Sequence, residues 1–424
     1  MHHRSPSIAR LLALLGALPG CAVFQLEQQV EQIAAHGILA IQVEPRSTAT
    51  NDYAVAWIDV DGHRETIDVQ HVDRDGIARF LLRNGAGYGV GAWTDLDGDG
   101  TYEPGEPAGQ LTMVEPVPLE RTATLSRPLP LTLTPDGTLP VAAAFAASDR
   151  TSPHGEALAM HLGEVASLDD PAFSVGNGSL GMWQPFEFLR EHGYGLYFLE
   201  PYDPRRLPVV LVHGLAASPQ DWRTLVATLD PTRFQCWFLH YPSGLRLEKS
   251  ANALAAALAM LQQRHGFDRL AIVGHSMGGL LAHGATTRLQ ALVPRNFVAD
   301  LVTISAPWDG HAAAAEGVRK LPYPVPSWRD LEPGSDYLRS LVEHALPPDT
   351  RHALLFTYQS TTGVALPPDN DGKVGLASQL VPVFQERAAS MFGRNLGHTE
   401  VLDDAATMRH VQAALDAARG RVDG

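Results

Sequence analysis

The sequence predicts an α/β protein: a mostly parallel sheet with helices on both faces, preceded by a small all-β, sandwich-like domain. Three observations carry that expectation. From Leu207 onward, strand-sized apolar runs alternate with helical stretches, the rhythm of a parallel sheet buried on both sides. Residues 37–145 have another texture, with short β-rich runs broken by Gly, Asn and Asp. The chain has 424 residues, long for one domain, so two domains are the natural expectation.

Composition narrows the function classes. An apolar content of 45% with 19% charged residues suits a globular protein with a sizeable core. The net charge of −15 argues against a nucleic-acid partner and against nonspecific docking on anionic lipid. Cys236 lies in a strand-like run and reads as a small buried hydrophobe. With only Cys21 beside it, no disulfide framework is expected.

Residues 1–20 read as a targeting segment. Arg4 and Arg10 give a basic start, residues 11–18 are apolar but too short to span a bilayer, and Leu18-Pro19-Gly20-Cys21 closes the pattern. A Cys after a small residue at the cleavage point resembles the bacterial lipobox, although Pro19 departs from the small or aliphatic residue usual there. The resemblance implies that Cys21 carries a diacylglyceryl group and becomes the mature N-terminus. Several acyl chains would give a stable membrane anchor. Ala22, where an Asp would signal inner-membrane retention, implies the outer membrane of a bacterial envelope. The alternative is a cleaved signal that happens to contain a Cys.

After this segment, residues 21–36 read as a tether with helical spacing, residues 37–145 as the β-domain and residues 146–424 as the α/β domain. Strands are expected at 38–43, 53–58, 78–82 and 88–94, and the Pro-containing runs at 116–118 and 127–130 read as edge strands or connectors. Residues 145–180 are expected to form a connection wrapped on the second domain. A helix over 183–190 and a strand over 194–199 lead into the alternating region. There, strands are expected at 207–212, 234–240, 270–273, 297–304 and 352–358, with helices at 222–229, 247–265 and 277–289.

Within the β-domain, Asp95-Leu96-Asp97-Gly98-Asp99-Gly100-Thr101-Tyr102-Glu103-Pro104-Gly105-Glu106 satisfies the full D-x-D-x-D-G-x5-E calcium-loop pattern. Asp95, Asp97, Asp99, Thr101, Glu103 and Glu106 are the candidate ligands of a structural Ca²⁺. The flanks read as strand rather than helix, so the loop is not an EF-hand and instead resembles Asp-rich loops of bacterial surface β-modules. The other reading is a solvated acidic turn.

The chemistry-bearing motif is Gly274-His275-Ser276-Met277-Gly278, directly after an apolar strand and directly before a helix. Such a turn exposes the Ser side chain at the top of a sheet, and small neighbours let the backbone pass closely. It points to acyl transfer with Ser276 as nucleophile, which needs a base and a group to orient that base. Asp371 and His398 follow in chain order and are the expected acid and base. Asp369 and the weaker Asp309 are alternative acids, and His410 is an alternative base. The backbone amides of Leu215 and Met277 are the expected oxyanion donors. His213 reads as structural, with a second catalytic base as the minor alternative, and Trp222 reads as a core or rim residue.

Val212-His213-Gly214, Gly274-His275-Ser276-Met277-Gly278, Ser305-Ala306-Pro307-x-x-Gly310, Asp371-Gly372 and Gly397-His398 together resemble the α/β-hydrolase superfamily over roughly residues 205–415. The likeness is to its lipase and esterase branch, in the manner of GPI-inositol-deacylase-like and bacterial lipase groups. It implies an acyl-enzyme mechanism, no cofactor for catalysis, and an ester or lipid-like substrate. Substrate identity does not carry over with a fold. The insertion over 307–351 is expected to cap the site, with a passive surface excursion as the alternative. The rival classes are a surface-binding lipoprotein whose hydrolase domain is vestigial, and an amidase or thioesterase of the same fold.

Overall fold

A computed structural model describes residues 21–45, 51–72, 76–118, 128–144, 151–152, 155–158, 160–359 and 369–419. The expected signal at 1–20 lies outside these residues. The described chain divides into two compact units, one of residues 31–160 with 189–193, the other of residues 21–30, 161–188 and 194–419.

The smaller unit is built from strands β1 (His36–Glu44), β2 (Asp52–Val60), β3 (His63–His71), β4 (Ile77–Arg83), β5 (Tyr88–Thr94), β6 (Ala108–Val114), β7 (Val117–Pro118), β8 (Leu129–Thr132), β9 (Thr151–Ser152) and β10 (Gly155–Leu158). One sheet runs β7-β1-β4-β10-β9 with β8 also on β1, and the other runs β3-β2-β5-β6. Alternation along the strands explains why the two sheets pack. Leu39, Ile41 and Val43 of β1 and Phe80 and Leu82 of β4 meet Ala54, Ala56 and Ile58 of β2 and Val90 of β5 in one core. Each fully buried aliphatic side chain there contributes about 1.5–3 kcal/mol. The expected strands are present, and the Pro-containing runs form the short edge strands β7 and β8. The sheet also extends beyond residue 145: Ala157 and Leu158 pair with Leu82 and Leu81, so residues 155–158 belong to the β unit, while residues 161–180 lie in the larger unit as expected. Strand β3 was not expected because its outward positions, His63, Arg64 and Glu65, disguise the buried Ile67 and Val69.

The larger unit carries an eight-stranded sheet in the order β11-β12-β14-β13-β15-β16-β17-β18. Its strands are β11 (Met160–Val165), β12 (Tyr194–Phe198), β13 (Leu207–Val212), β14 (Phe234–His240), β15 (Leu270–His275), β16 (Val298–Ile304), β17 (Arg351–Tyr358) and β18 (Ser390–Asn395). From β14 to β18 every pairing is parallel, and β12 runs antiparallel to β14. The helices are α1 (Cys21–Ala34), α2 (Val175–Trp183), α3 (Pro185–His192), α4 (Arg223–Thr228), α5 (Leu247–His265), α6 (Met277–Leu289), α7 (Ala312–Lys320), α8 (Pro326–Asp330), α9 (Asp336–Glu343), α10 (Leu376–Gln379), α11 (Pro382–Arg387) and α12 (Ala405–Arg419). Among the described residues no helix is long and apolar enough to cross a membrane.

The parallel strands are apolar on both faces because both are covered. Val210, Val212, Ile272 and Leu301 point into a core shared with Leu254 and Leu258 of α5 and Leu280 and Leu281 of α6. Val209, Leu211, Val273 and Val302 point the other way, onto Leu225 of α4 and Met408, Val411 and Leu415 of α12. Helix α5 ends at Gly266, whose φ of 66° supplies the left-handed stop. Helix α2 was hidden from sequence reasoning by its glycines. A Cβ on Gly178 would overlap the carbonyls of Ala216 and Ala217, so the glycine lets the helix lie flush on the loop after β13.

Candidate active site

Each candidate residue sits just beyond the carboxyl end of a parallel strand, where open α/β sheets place their ligands. Ser276 follows β15, the Leu215 loop follows β13, Asp371 lies in the connection after β17, and His398 follows β18.

Ser276 has φ 54° and ψ −127°, a conformation that a residue with a side chain rarely holds. The turn survives because its neighbours make room. A Cβ on Gly278 would overlap the carbonyls of Val212 and His213, and one on Gly274 would overlap the backbone of Gly278 and Gly279. The Ser276 amide is tied to the Ile304 carbonyl at 2.8 Å, while its hydroxyl makes no capping bond to α6 and is left for chemistry.

Asp371 and His398 come together: His398 Nδ1 lies 2.6 Å from Asp371 Oδ2, and both are buried. Burial alone would push the Asp371 carboxyl up. The hydrogen bonds from His398, Thr357 and the Val374 amide outweigh it and hold the group below its usual range. Asp371 is therefore a carboxylate that accepts a hydrogen bond from His398 Nδ1–H, which leaves Nε2 as the nitrogen able to take up a proton. The other acids do not compete. Asp369 and Asp309 are exposed. His410 stacks on Phe392 at 4.1 Å.

Around the expected oxyanion site, Gly214 brings its backbone against Ser276, and Ala216 adopts φ 52° with its amide donating to Ser243 Oγ at 3.0 Å. Among the described residues neither the Leu215 nor the Met277 amide is taken by another acceptor. His213 is buried, stacks on Tyr241 at 4.5 Å, and is lowered to about 4 by burial. It stays neutral and packs the loop rather than serving as a second base. Trp222 is a core residue of the α4 and α12 face.

Sequence reasoning missed the residues that stand behind the motif. Thr357 Oγ1 and Gln379 Nε2 donate to Asp371 Oδ2 at 2.7 and 3.1 Å, and His275 Nε2 reaches the His398 carbonyl at 2.8 Å. Ser243 holds the Ala216 amide. His275 lay inside the recognised pentapeptide. Nothing in the sequence marks the others, because their spacing to Asp371 and Leu215 exists only after folding.

The insertion after β16 contributes α7, α8 and α9 to the fold. Trp328 of α8 lies under Gly317 of α7 and edge-on to Trp183, at 5.6 Å between ring centres. Asp330 takes Arg246 Nε at 2.9 Å and the Leu247 amide at 2.6 Å, so a side chain of the insertion caps α5. Tyr337 of α9 donates to the Leu280 carbonyl at 3.2 Å. Helices α8 and α9 are thus packed on the body of the larger unit.

In the smaller unit the Asp-rich loop brings carboxylate oxygens of Asp95, Asp97 and Asp99, and of Asp97, Glu103 and Glu106, within 4.8 Å of one another. Asp95 accepts the Gly98 and Gly100 amides at 2.7 and 2.8 Å, and Thr101 donates its amide to Asp99 at 2.6 Å. Burial and the negative charge of Asp99, Asp97, Glu106 and Asp95 push the Glu103 carboxyl up. A hard divalent cation would relieve that repulsion, and an all-oxygen donor set of this kind fits one.

A family model described as the alpha/beta hydrolase fold matches residues 208–336. That stretch runs from β13 through the Ser276 turn into α9, the centre of the parallel sheet. The larger unit has the α/β-hydrolase fold. Solved structures similar to this chain include a lipase of Bacillus licheniformis in mature form, with 18% identity over 50% of this chain and 94% of that one and a TM-score of 0.41. An esterase from a Rhodococcus species has 15% identity over 50% and 90% of the two chains, with a TM-score of 0.35. A bacterial membrane phospholipase A has 18% identity over 51% and 81%, with a TM-score of 0.31. No curated protein matches the chain.

Proposed function

We propose that the protein is a serine hydrolase that cleaves carboxylic esters of lipid-like character through a covalent acyl-enzyme. The observation that carries this reading is the 2.6 Å pair of Asp371 and His398, standing at the same sheet edge as the strained Ser276 turn. In this reading His398 Nε2 accepts the Ser276 proton as Oγ attacks the ester carbonyl. The negative oxygen that forms is met by the Leu215 and Met277 amides, which are free to donate. His398 returns the proton to the leaving alcohol, and Asp371 holds the imidazolium in register throughout. Water then takes the place of the alcohol, and the same base deacylates the enzyme.

Two attributes complete the proposal. Cys21, at the start of α1, would carry the lipid anchor and hold the enzyme at a bacterial envelope membrane. The Asp-rich loop, through Asp95, Asp97, Asp99, Thr101, Glu103 and Glu106, would bind a structural Ca²⁺.

A fluorophosphonate probe on the purified chain tests the enzyme reading. Labelling at Ser276, lost in S276A together with turnover of p-nitrophenyl esters, is expected. An unlabelled Ser276 in folded protein overturns it. Ester substrates of graded chain length, compared with amide and thioester analogues, test the bond class, and preference for an amide or thioester overturns that part.

A further inference from the structure

We propose that Thr357 and Gln379, with Ser305 behind them, are positioning residues of the reaction, holding the Asp371 carboxylate ionised and aimed at His398. This rests on the triad reading above and deepens it.

The donor count at Asp371 comes first. Its Oδ1 accepts the Lys373 amide at 3.0 Å and the Val374 amide at 2.7 Å. Its Oδ2 accepts His398 Nδ1, Thr357 Oγ1 and Gln379 Nε2 at 2.6, 2.7 and 3.1 Å. Five donors on one buried carboxyl leave it no free acceptor position and no freedom to rotate. Two backbone amides would satisfy Oδ1 in a tight turn of any function. The two side-chain donors on Oδ2 are different, since they converge from separate elements, β17 and α10, on the oxygen that faces the base.

Chemistry then fixes the direction of each bond. A carboxylate only accepts, so the single Thr357 hydroxyl proton is committed to Asp371. Ser305 Oγ lies 2.7 Å from that same hydroxyl, hence Ser305 must be the donor there. The result is a one-way chain, Ser305 to Thr357 to Asp371, all of it buried, in which each bond polarises the next. Gln379 is fixed just as firmly. Its Oε1 accepts the Thr357 amide at 2.9 Å, while its Nε2 donates to the Thr357 carbonyl at 2.9 Å and to Asp371. Turning the amide over would set donor against donor and acceptor against acceptor, so only this orientation is compatible with its neighbours.

The two residues therefore act through Asp371 and touch neither substrate nor the reacting atoms. With Oδ2 pinned, His398 Nδ1–H has one place to go, and the ring is held in the tautomer and plane that leave Nε2 basic. Without Thr357 the carboxyl loses a donor, becomes easier to protonate, and is held at Oδ2 by His398 and Gln379 alone.

The test uses the full chain, T357V, T357S, Q379M and S305A, with kcat and KM for a short p-nitrophenyl ester measured across pH and thermal midpoints recorded alongside. T357V is expected to lower kcat by about 10- to 100-fold with KM within about twofold. Its acid limb of kcat/KM is expected to move up by about half a pH unit. Q379M should move both in the same direction, and T357S should restore both by returning the hydroxyl. If T357V does not fold, S305A gives the same reading at smaller amplitude, with about a threefold loss in kcat and an upward limb. A folded T357V, or in its place S305A, with unchanged kcat and unchanged acid limb overturns the proposal. An active, fluorophosphonate-labelled wild type beside an indifferent T357V would sink only the positioning role. An unlabelled wild type would sink the triad reading itself.

Discussion

His275 Nε2 lies 2.8 Å from the backbone oxygen of His398, so the residue before Ser276 tethers the loop that carries His398. A carbonyl only accepts, which places the His275 proton on Nε2. Burial, with a smaller effect from His398, lowers His275 to about 3, and the ring stays neutral. The two rings sit 4.7 Å apart, centre to centre. H275F keeps a flat ring and removes the donor. It is expected to cost about 1–2 kcal/mol of stability through the unsatisfied carbonyl. Activity should fall about tenfold through kcat, with KM little changed, because the His398 loop loses its tether. Denaturant midpoints and ester kinetics on one preparation check both halves, and an H275F enzyme with wild-type kcat contradicts the tether.

The clasp between the insertion and α5 predicts an asymmetry. Asp330 is almost fully buried and serves both Arg246 and the Leu247 amide, whereas the Arg246 side chain is 44% exposed. Removing the carboxylate strips a helix cap as well as an ion pair. Removing the guanidinium leaves the cap, and water replaces part of the pairing. D330A should therefore cost about 3 kcal/mol and R246A only about 1 kcal/mol, the second figure discounted for screening. Urea midpoints of the two variants decide it, and equal losses would mean that the cap contributes nothing.

Much of this molecule could be read from its sequence, for reasons that lie in particular residues. Val209 to Val212 and Leu270 to Val273 are apolar on both faces, which only a doubly covered strand tolerates, so the centre of the sheet was legible. Ser276 was legible because a sharp turn needs Gly274 and Gly278. Asp371 stands in the Asp371-Gly372 motif and Asp369 does not, and the structure separates them by burial and by the His398 contact. Helix α2 was illegible because Gly178 serves close packing against propensity. Thr357, Gln379 and Ser243 were illegible because hydrogen-bond partners distant in sequence leave no periodic trace. Strand β10 was illegible, its residues reading as part of a connection, because so short a β segment carries no mark of which sheet it will join.

The Asp-rich loop gives a prediction independent of catalysis. If Ca²⁺ binds there, the ion at about 100 times its Kd adds about 2.7 kcal/mol to folding. Thermal unfolding of the full chain in EDTA and then in excess Ca²⁺ should show a first transition that moves up with the ion. D97N should abolish the movement while leaving ester turnover intact. Identical melts in chelator and Ca²⁺ rule the site out.

Acid sensitivity follows from the buried histidines. Burial first lowers His283 to about 3, with His352 adding to it, and burial lowers His352 itself to about 4. His213 and His275 are lowered by the same cause to about 4 and about 3. A lowered folded value means that the unfolded chain binds protons first as pH falls. The stability these groups contribute is complete above about pH 6.5 and is lost progressively from there down toward pH 3–4. Each histidine can supply up to about 1.4 kcal/mol per pH unit within that window. His283 isolates the effect, because its Nδ1 has no hydrogen-bond partner among the described residues and its ring lies edge-on to Trp308 and Phe384. H283F should fold with a similar stability at pH 7.5 and a shallower loss between pH 6.5 and 5. The urea midpoint of wild type and H283F at those pH values measures the difference, and parallel slopes would show that His283 is not among the groups that drive acid unfolding.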